Sequence, residues 1–313
     1  MATKAYHIQG LVAGNRPVVR PLGFRPPQPL KHQLRYACRP MTVCIATLAD
    51  VGKSLVMVCD AMLSGIDFSG DRVAYKLYPL TEAWWVMVAG DDITHIVPVI
   101  EEVTLRLAVL TAATNTLAYV ERVVVESYQK VRMQHAGDLV LAPIGVTLER
   151  FWQDSDLFQG YLTERLASVD LGCQFLVAGF DWAGDGHIFT VENPGIARNH
   201  DLAGWASIGN GAMTATSTLL YYSVNYTMEL ARALYHTCEA KFMSETAPGV
   251  GKHTVVKIMN AGTGGKTPSE LSEEFIARIR EDWDKFGRPR APKSALDGIG
   301  VLLREGGFTP SSK

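Results

Sequence analysis

Two apolar, β-branched runs joined by a short turn constrain the fold of this chain more than any other feature. The runs cover residues 42–49 and 53–60, and the turn between them is Asp50-Val51-Gly52. This pattern is typical of a β-hairpin with a three-residue loop, in which the glycine takes the left-handed conformation. The sequence therefore predicts an antiparallel hairpin over residues 42–60.

The length of this turn also predicts the register of the hairpin. A three-residue loop pairs Ala49 with Lys53, and counting back along the strands places Thr42 opposite Asp60. Directly opposed residues point to the same face of a hairpin. We therefore expect a hydroxyl and a carboxylate to meet at its open end.

The pattern of strands and helices continues to about residue 261. Strands are predicted near residues 73–80, 84–89, 173–180, 187–192 and 253–259; helices are predicted at two places within 93–134, then near 148–153, 157–167, 212–222 and 228–242. This order predicts an α+β fold, namely a four-layer αββα sandwich of two antiparallel sheets flanked by helices. We expect residues 42–261 to form this one domain.

The first 41 residues differ in composition from the rest. Residues 1–40 contain seven of the 30 Lys and Arg residues, six of the 15 prolines and no Asp or Glu. Such a segment is predicted to be disordered. Three explanations stay open: a pro-segment, an arginine-rich targeting peptide, or an upstream stretch before a true start at Met41. The remaining chain is acidic, which argues against nucleic-acid binding.

Residues 262–313 are predicted to form a C-terminal helix and tail. Thr267-Pro268-Ser269-Glu270 has the pattern of a capping box with proline at the first helical position. A charged helix is expected from there to about Lys285, followed by a loose end from Gly287.

The sequence offers no motif for a metal, a cofactor or a membrane. The five cysteines form neither a CxxC pair nor a zinc spacing, and the histidines form no HExxH motif. The glycine-rich stretches 249–253 and 262–267 both depart from the phosphate-loop pattern. No apolar run approaches the roughly 18 residues of a membrane span. We expect a cytoplasmic protein without a cofactor.

Several short motifs resemble, in order, those of proteasome β-subunits. They are Met41-Thr-Val-Cys-Ile-Ala46, Val58-Cys-Asp60, Lys76-Leu-Tyr-Pro79, Val88-Ala-Gly90, the turn at 179–186 and Ile208-Gly-Asn-Gly211. The resemblance covers residues 42–261 and is greatest to bacterial proteasome-like peptidases. It implies membership of the N-terminal-nucleophile hydrolase superfamily.

The resemblance also implies the roles of four residues. Thr42 would be the nucleophile, and its free α-amine would be the base. Lys76 would lower the pKa of both groups, and Asp60 would hold Lys76 in place. The backbone N–H of Gly90 would stabilise the oxyanion.

The sequence departs from the family pattern at several positions. Met62 stands where an arginine is frequent, so that charge is absent or supplied by Arg72. Asn210 replaces a serine. Only Ser244 and Glu245 are candidates for the second acidic residue of the family. Met41 replaces the glycine typical of self-cleaving pro-segments, which argues against self-processing.

The resemblance implies a threonine peptidase that acts on peptides or proteins and assembles as a homo-oligomeric ring or stack. Whether it has an unfoldase partner stays open. An amidase acting on a small amide would use the same nucleophile. A non-catalytic structural subunit, with Thr42 covered by residues 1–41, is the alternative outside enzymes. Each site residue also has a structural alternative: Asp60 and Lys76 as an ion pair at a sheet edge, and Gly90 as a tight turn. Cys44 and Cys59 are interpreted as small core residues.

Overall fold

A computed structural model describes residues 42–64, 69–72, 75–90, 93–153, 160–261, 268–287 and 293–305. The predicted N-terminal extension, residues 1–41, lies outside this set. So do Asp91, Asp92 and Thr267.

Two five-stranded antiparallel sheets form the centre of the described chain. The strands of the first sheet are β1 Cys44–Ala49, β2 Ser54–Asp60, β10 Trp205–Ile208, β11 Thr254–Asn260 and β12 Ser269–Glu270, in the order β10-β1-β2-β11-β12. Those of the second are β5 Leu77–Pro79, β6 Trp84–Gly90, β7 Cys173–Phe180, β8 Gly186–Glu192 and β9 Ile196–Asn199, in sequence order. Strands β3 Leu63–Ser64 and β4 Ser69–Gly70 form a separate small ribbon.

Helices separate and follow these strands along the chain. They are α1 Ile96–Leu107, α2 Leu117–Val140, α3 Leu148–Gln153, α4 Tyr161–Ala167, α5 Ala212–Tyr221, α6 Leu230–Ser244, α7 Glu273–Asp282 and α8 Lys293–Glu305. None of the helices in the described ranges has an apolar stretch long enough to cross a membrane. The prediction of an α+β fold with antiparallel sheets is confirmed.

Alternating side chains of each sheet enter different apolar cores. On β2, Met57 and Cys59 lie in a core shared with Trp85 and Met87 of the second sheet. The neighbouring residues of β2 face the opposite side and contact α6 and α7: Val56 and Val58 pack with Cys238, Phe242, Ile276 and Trp283. The other face of the second sheet packs against α1 and α2. This arrangement is compatible with the predicted αββα sandwich.

The register predicted for the first hairpin is wrong by one residue. Residues 50–53 form a four-residue loop, so Ala49 pairs with Ser54 instead of Lys53. Asp50 and Val51 adopt positive φ angles of 51° and 58° before Gly52 at 75°. Tertiary contacts favour this conformation, because the Asp50 amide donates to the Met228 carbonyl at 2.8 Å and the Asp50 carboxylate accepts from the Leu230 amide at 3.0 Å. Within the turn, the same carboxylate accepts from Ser54 Oγ at 2.7 Å.

The capping box predicted at residues 267–270 is also wrong. Ser269 and Glu270 form β12, which pairs with Ile258 and Lys257 of β11. The N-cap of α7 is Ser272, whose hydroxyl accepts a hydrogen bond from the Phe275 amide. Strand β12 thereby extends the first sheet beyond residue 261.

A second helix, α8, lies where the sequence predicts only a loose end. It covers Lys293–Glu305. The last turn of the segment before it, Trp283–Gly287, is π-helical.

The ion pair between His187 and Asp201 makes a contribution to stability that depends on pH. Their Nδ1 and Oδ2 atoms lie 2.7 Å apart. Burial lowers the pKa of His187, but the hydrogen bond and charge of Asp201 raise it more, so the net pKa lies above its ordinary value. The contribution is therefore present below about pH 6.5 and is lost as the pH rises through the raised pKa.

We expect His187→Gln to lower the melting temperature more at about pH 5.5 than at about pH 8.5. His200→Gln is the matched control, because burial lowers the pKa of His200 and its protonation opposes folding. Thermal unfolding followed by circular dichroism measures both variants. Equal losses at the two pH values for His187→Gln would contradict the expectation.

Candidate active site

Thr42, Asp60 and Lys76 meet at the open end of the first hairpin. Thr42 lies two residues before β1, Asp60 is the last residue of β2, and Lys76 directly precedes β5. The Thr42 hydroxyl donates a hydrogen bond to Asp60 Oδ1 and accepts one from Lys76 Nζ. Lys76 Nζ also lies 3.0 Å from each carboxylate oxygen of Asp60. A hydroxyl, an ammonium and a carboxylate are therefore in mutual contact.

The corrected register changes how Thr42 and Asp60 come together. Asp60 stands opposite Val43, since the Asp60 amide donates to the Val43 carbonyl at 3.2 Å. The contact with Thr42 is thus made along a diagonal, by a carboxylate at the very end of its strand.

The Asp60 carboxylate is held by backbone groups from three segments. Its Oδ1 accepts from the Val43 amide at 2.9 Å. Its Oδ2 accepts from the Met62 amide at 3.0 Å and from the Gly251 amide at 3.2 Å. These bonds orient the carboxylate independently of Lys76.

All three side chains of the cluster are shielded from water. The exposed fractions of Thr42, Asp60 and Lys76 are 3%, 0% and 8%. Removing a charge from water costs on the order of several kcal/mol unless an opposite charge and hydrogen bonds offset the cost. Here each charge has the other as partner, and the carboxylate gains three amide donors.

A glycine turn fixes the backbone of Thr42. The Gly211 amide donates to the Thr42 carbonyl at 3.0 Å. Gly209 has a φ of 91°, and a Cβ placed there would lie 2.5 Å from the same carbonyl oxygen. Only glycine allows so close an approach. The turn comes near Thr42 because β10 pairs with β1, with Cys44 opposite Ile208.

Gly90, the predicted oxyanion donor, ends β6 opposite Cys173. A Cβ at this position would lie 2.8 Å from the Gly172 carbonyl oxygen and 2.9 Å from the Cys173 Cβ. Close packing of β6 on β7 is therefore a structural reason for this glycine. Its role as an oxyanion donor stays a prediction.

The three further candidates, Asn210, Ser244 and Glu245, have no described contact with the Thr42 hydroxyl. Asn210 Nδ2 donates to the Pro248 carbonyl at 2.8 Å. The Ser244 hydroxyl donates to the carbonyls of Ala240 and Gly211 at 2.7 and 3.0 Å. Both residues thereby support the loops next to Thr42.

Glu245 belongs to a different set of contacts. It accepts hydrogen bonds from Lys241 at 2.5 Å and from Arg280 at 2.5 and 2.9 Å. Arg72, the possible replacement for an arginine at position 62, is exposed and pairs with Glu273 at 3.4 Å. Among the described contacts, neither residue supplies a charge to Thr42.

The thiols of Cys44 and Cys59 are weaker candidates for the nucleophile than the Thr42 hydroxyl. Cys44 and Cys59 face each other across the hairpin and are buried in the core between the sheets. Burial raises the pKa of Cys44 well above its ordinary value, and the hydrogen bond with Cys59 raises it further. A thiol is a weak nucleophile unless it is ionised. The interpretation of both cysteines as core residues is confirmed.

The sequence reasoning missed Gly251. The stretch 249–253 departs from the phosphate-loop pattern, yet its Gly251 amide donates to Asp60 Oδ2 at 3.2 Å. The pairing of β11 with β2 places Thr254 opposite Asp60 and brings the preceding loop to the site. A glycine-rich turn directly before a strand that pairs with β2 was the available signal.

In the described part of the chain, no group of three or more His, Cys, Asp or Glu side chains could hold a metal ion. No model of a known protein family matches the sequence, and no curated protein matches it.

Removing one member of the buried ion pair is expected to destabilise the fold strongly. Asp60→Asn and Lys76→Met should each lower the free energy of unfolding by about 3–5 kcal/mol, because the remaining charge stays buried without its partner. The double variant should lose less than the sum of the two. Urea unfolding monitored by circular dichroism measures these free energies.

The pair between Lys53 and Asp185 is the matched control. Its atoms lie 2.6 Å apart, but both side chains are more than half exposed. Lys53→Met should therefore cost at most about 1 kcal/mol. Additive losses for the buried pair, or losses no larger than in this control, would contradict the expectation.

Proposed function

We propose that this chain is a threonine-type N-terminal-nucleophile hydrolase that cleaves peptide (amide) bonds. The observation that carries the proposal is the buried contact of the Thr42 hydroxyl with Lys76 and Asp60. A lone threonine before a strand is ordinary. A threonine hydroxyl that accepts a hydrogen bond from a buried ammonium is the arrangement expected of an activated nucleophile.

The proposed fold is that of the same superfamily. Two antiparallel sheets that share a core, with helices packed on the outer faces, support it. Thr42 lies two residues before β1, the neighbour of the central strand β2, so a chain that begins at Thr42 would place its amine at this sheet. The order of motifs along residues 42–261 supports the same interpretation.

Each residue of the cluster has a distinct task in the proposed reaction. Thr42 Oγ1 attacks the carbonyl carbon of the substrate, and its proton passes to the free α-amine of Thr42, whose unperturbed pKa is about 7.7–8.0. The Lys76 ammonium favours the negative charge that develops on Oγ1. Asp60 balances the charge of Lys76 and holds the ammonium against the hydroxyl.

The second half of the reaction restores the enzyme. The protonated amine gives its proton to the leaving amine as the C–N bond breaks, which leaves an ester on Thr42. Water, activated by the same amine, then hydrolyses this ester. The Gly90 amide is the proposed donor to the oxyanion in both steps, where loss of one donor costs about 10²–10³ in rate.

The reaction has one chemical condition, namely a free amine on Thr42. In the full chain this nitrogen is part of the peptide bond to Met41. We propose that the bond is absent in the active form, either because synthesis starts at Met41 and the methionine is removed, or because residues 1–41 are cleaved off.

The second candidate function is a non-catalytic structural subunit that retains residues 1–41. The burial of Thr42, which is 3% exposed, favours it, because a buried hydroxyl cannot meet a substrate. Mass spectrometry of the mature N-terminus separates the two. A chain that begins at Thr42 supports catalysis, and one that keeps residues 1–41 supports the structural role.

The proposed substrate is a peptide or protein, and the proposed assembly is a homo-oligomeric ring or stack. Both follow from the resemblance to proteasome β-subunits. Native mass spectrometry distinguishes this assembly from a monomer, which would favour the amidase that acts on a small amide.

A chain prepared to begin at Thr42 should react with a β-lactone probe at that residue. Thr42→Ala should lose labelling and amide hydrolysis, because it lacks the attacking oxygen, whereas Thr42→Ser keeps a hydroxyl and should retain both. Intact and peptide mass spectrometry locate the label. The full chain is the matched control and should stay unlabelled because its Thr42 nitrogen is acylated. Amide hydrolysis by Thr42→Ala at the rate of the unsubstituted chain would contradict the proposal.

A further inference from the structure

The loop between α6 and β11 connects Asp60 to charged residues that the proposed reaction does not use. We call residues 249–253 the 249–253 loop. Its Gly251 amide donates to Asp60 Oδ2 at 3.2 Å. A Cβ at Gly251 would lie 2.5 Å from Asp71 Oδ1 and 2.7 Å from the Met62 Cβ, so the backbone passes between these residues with no room for a side chain.

Two cations bind the carbonyl groups of the 249–253 loop. Lys241 Nζ donates to the carbonyls of Gly251 and Lys252 at 2.8 and 3.0 Å. Arg280 donates to the Lys252 carbonyl at 3.2 Å. Lys241 belongs to α6 and Arg280 to α7, so the loop is fixed to two helices.

Glu245 joins the two cations. It pairs with Lys241 at 2.5 Å and accepts two hydrogen bonds from the Arg280 guanidinium. Lys241 is fully buried. Burial lowers the pKa of Lys241, while the charge of Glu245 opposes this shift. The Glu245 carboxylate therefore favours the charged form of Lys241 next to the loop.

The opposite edge of the 249–253 loop is held by Asp71. The Asp71 carboxylate accepts hydrogen bonds from the amides of Lys252 and His253 at 2.9 and 3.0 Å. Burial raises the pKa of Asp71, but these amide bonds lower it more, so that the net pKa lies below its ordinary value. The loop is thus bound on both edges, and the Gly251 amide points at Asp60.

We propose that Lys241 and Arg280 are positioning residues, which orient the Asp60 carboxylate by holding the 249–253 loop. The inference rests on the proposed function, since the effect on catalysis requires Asp60 and Lys76 to act on Thr42. Helix α7 then belongs to the framework of the site, although it lies outside the 42–261 segment that resembles the peptidases. A small displacement of a reacting group costs as much as about 10²-fold in rate.

Arg280→Met is the variant of choice, because Arg280 is partly exposed whereas Lys241 is fully buried. In the chain that begins at Thr42, we expect roughly tenfold slower β-lactone labelling, and a lower kcat with little change in KM for a peptide substrate. Arg280→Lys keeps the cation but loses the planar fork, and should give a smaller decrease in the same direction. It also keeps the test decisive should Arg280→Met fail to fold.

Arg72→Met is the matched control. Arg72 also pairs with an acidic residue of α7, Glu273, but its guanidinium has no described contact with the 249–253 loop. This variant should label at the rate of the unsubstituted chain. A rate for Arg280→Met equal to that of Arg72→Met would overturn the inference and leave the proposed function intact.

Amide hydrogen exchange supplies a readout that does not need activity. The amides of residues 250–253 all donate hydrogen bonds in the structure. Arg280→Met should accelerate their exchange, while exchange in β7 stays unchanged. If the β-lactone never labels the unsubstituted chain that begins at Thr42, the proposed function is wrong. Hydrogen exchange still tests whether Arg280 holds the 249–253 loop. Unchanged exchange at 250–253 would overturn the inference.

Discussion

The whole candidate site depends on keeping the ion pair of Lys76 and Asp60 out of water. Burying either charge without its partner would cost on the order of several kcal/mol. The chain offsets this cost with the opposite charge, the Thr42 hydroxyl and three backbone amides. Because these partners come from separate segments, solvation of one carboxylate sets the relative positions of the hairpin, the segment after β2 and the 249–253 loop.

The position of β2 in the sheet explains why this solvation succeeds. β2 lies between β1 and β11, so Asp60 ends a strand with neighbours on both sides. Each neighbouring strand brings the loop that precedes it to the carboxylate: Val43 before β1 and Gly251 before β11. An edge strand would have offered one such loop and left Asp60 partly in water.

Much of the site was predictable from sequence, although only one of the two arguments for it was correct. The order of motifs identified Thr42, Asp60 and Lys76, and the structure brings them together. The register argument was wrong, because tertiary hydrogen bonds of Asp50 with Met228 and Leu230 stabilise a longer turn than local propensity favours. Thr42 and Asp60 are in contact despite the different register, because a carboxylate at a strand end can reach a diagonal neighbour.

The missed elements share a physical cause. The strands β9 and β10 have four residues each, too few for a periodic pattern to stand out. Ser269 and Glu270 suit a helix start by themselves, yet pairing with β11 outweighs that preference. Gly251 carries no side chain, so its backbone contact with Asp60 leaves little trace in the sequence. Long-range pairing decided each case.

The contacts of Asp60 also fix when the site can exist during synthesis. Thr42 and Lys76 are 18 and 16 residues from Asp60, but Gly251 is 191 residues away. A growing chain therefore completes the carboxylate's environment only after β11 has left the ribosome and joined the sheet. The cluster is therefore completed late in folding. A chain whose synthesis stops before β11 lacks it, and so lacks any activity that depends on it.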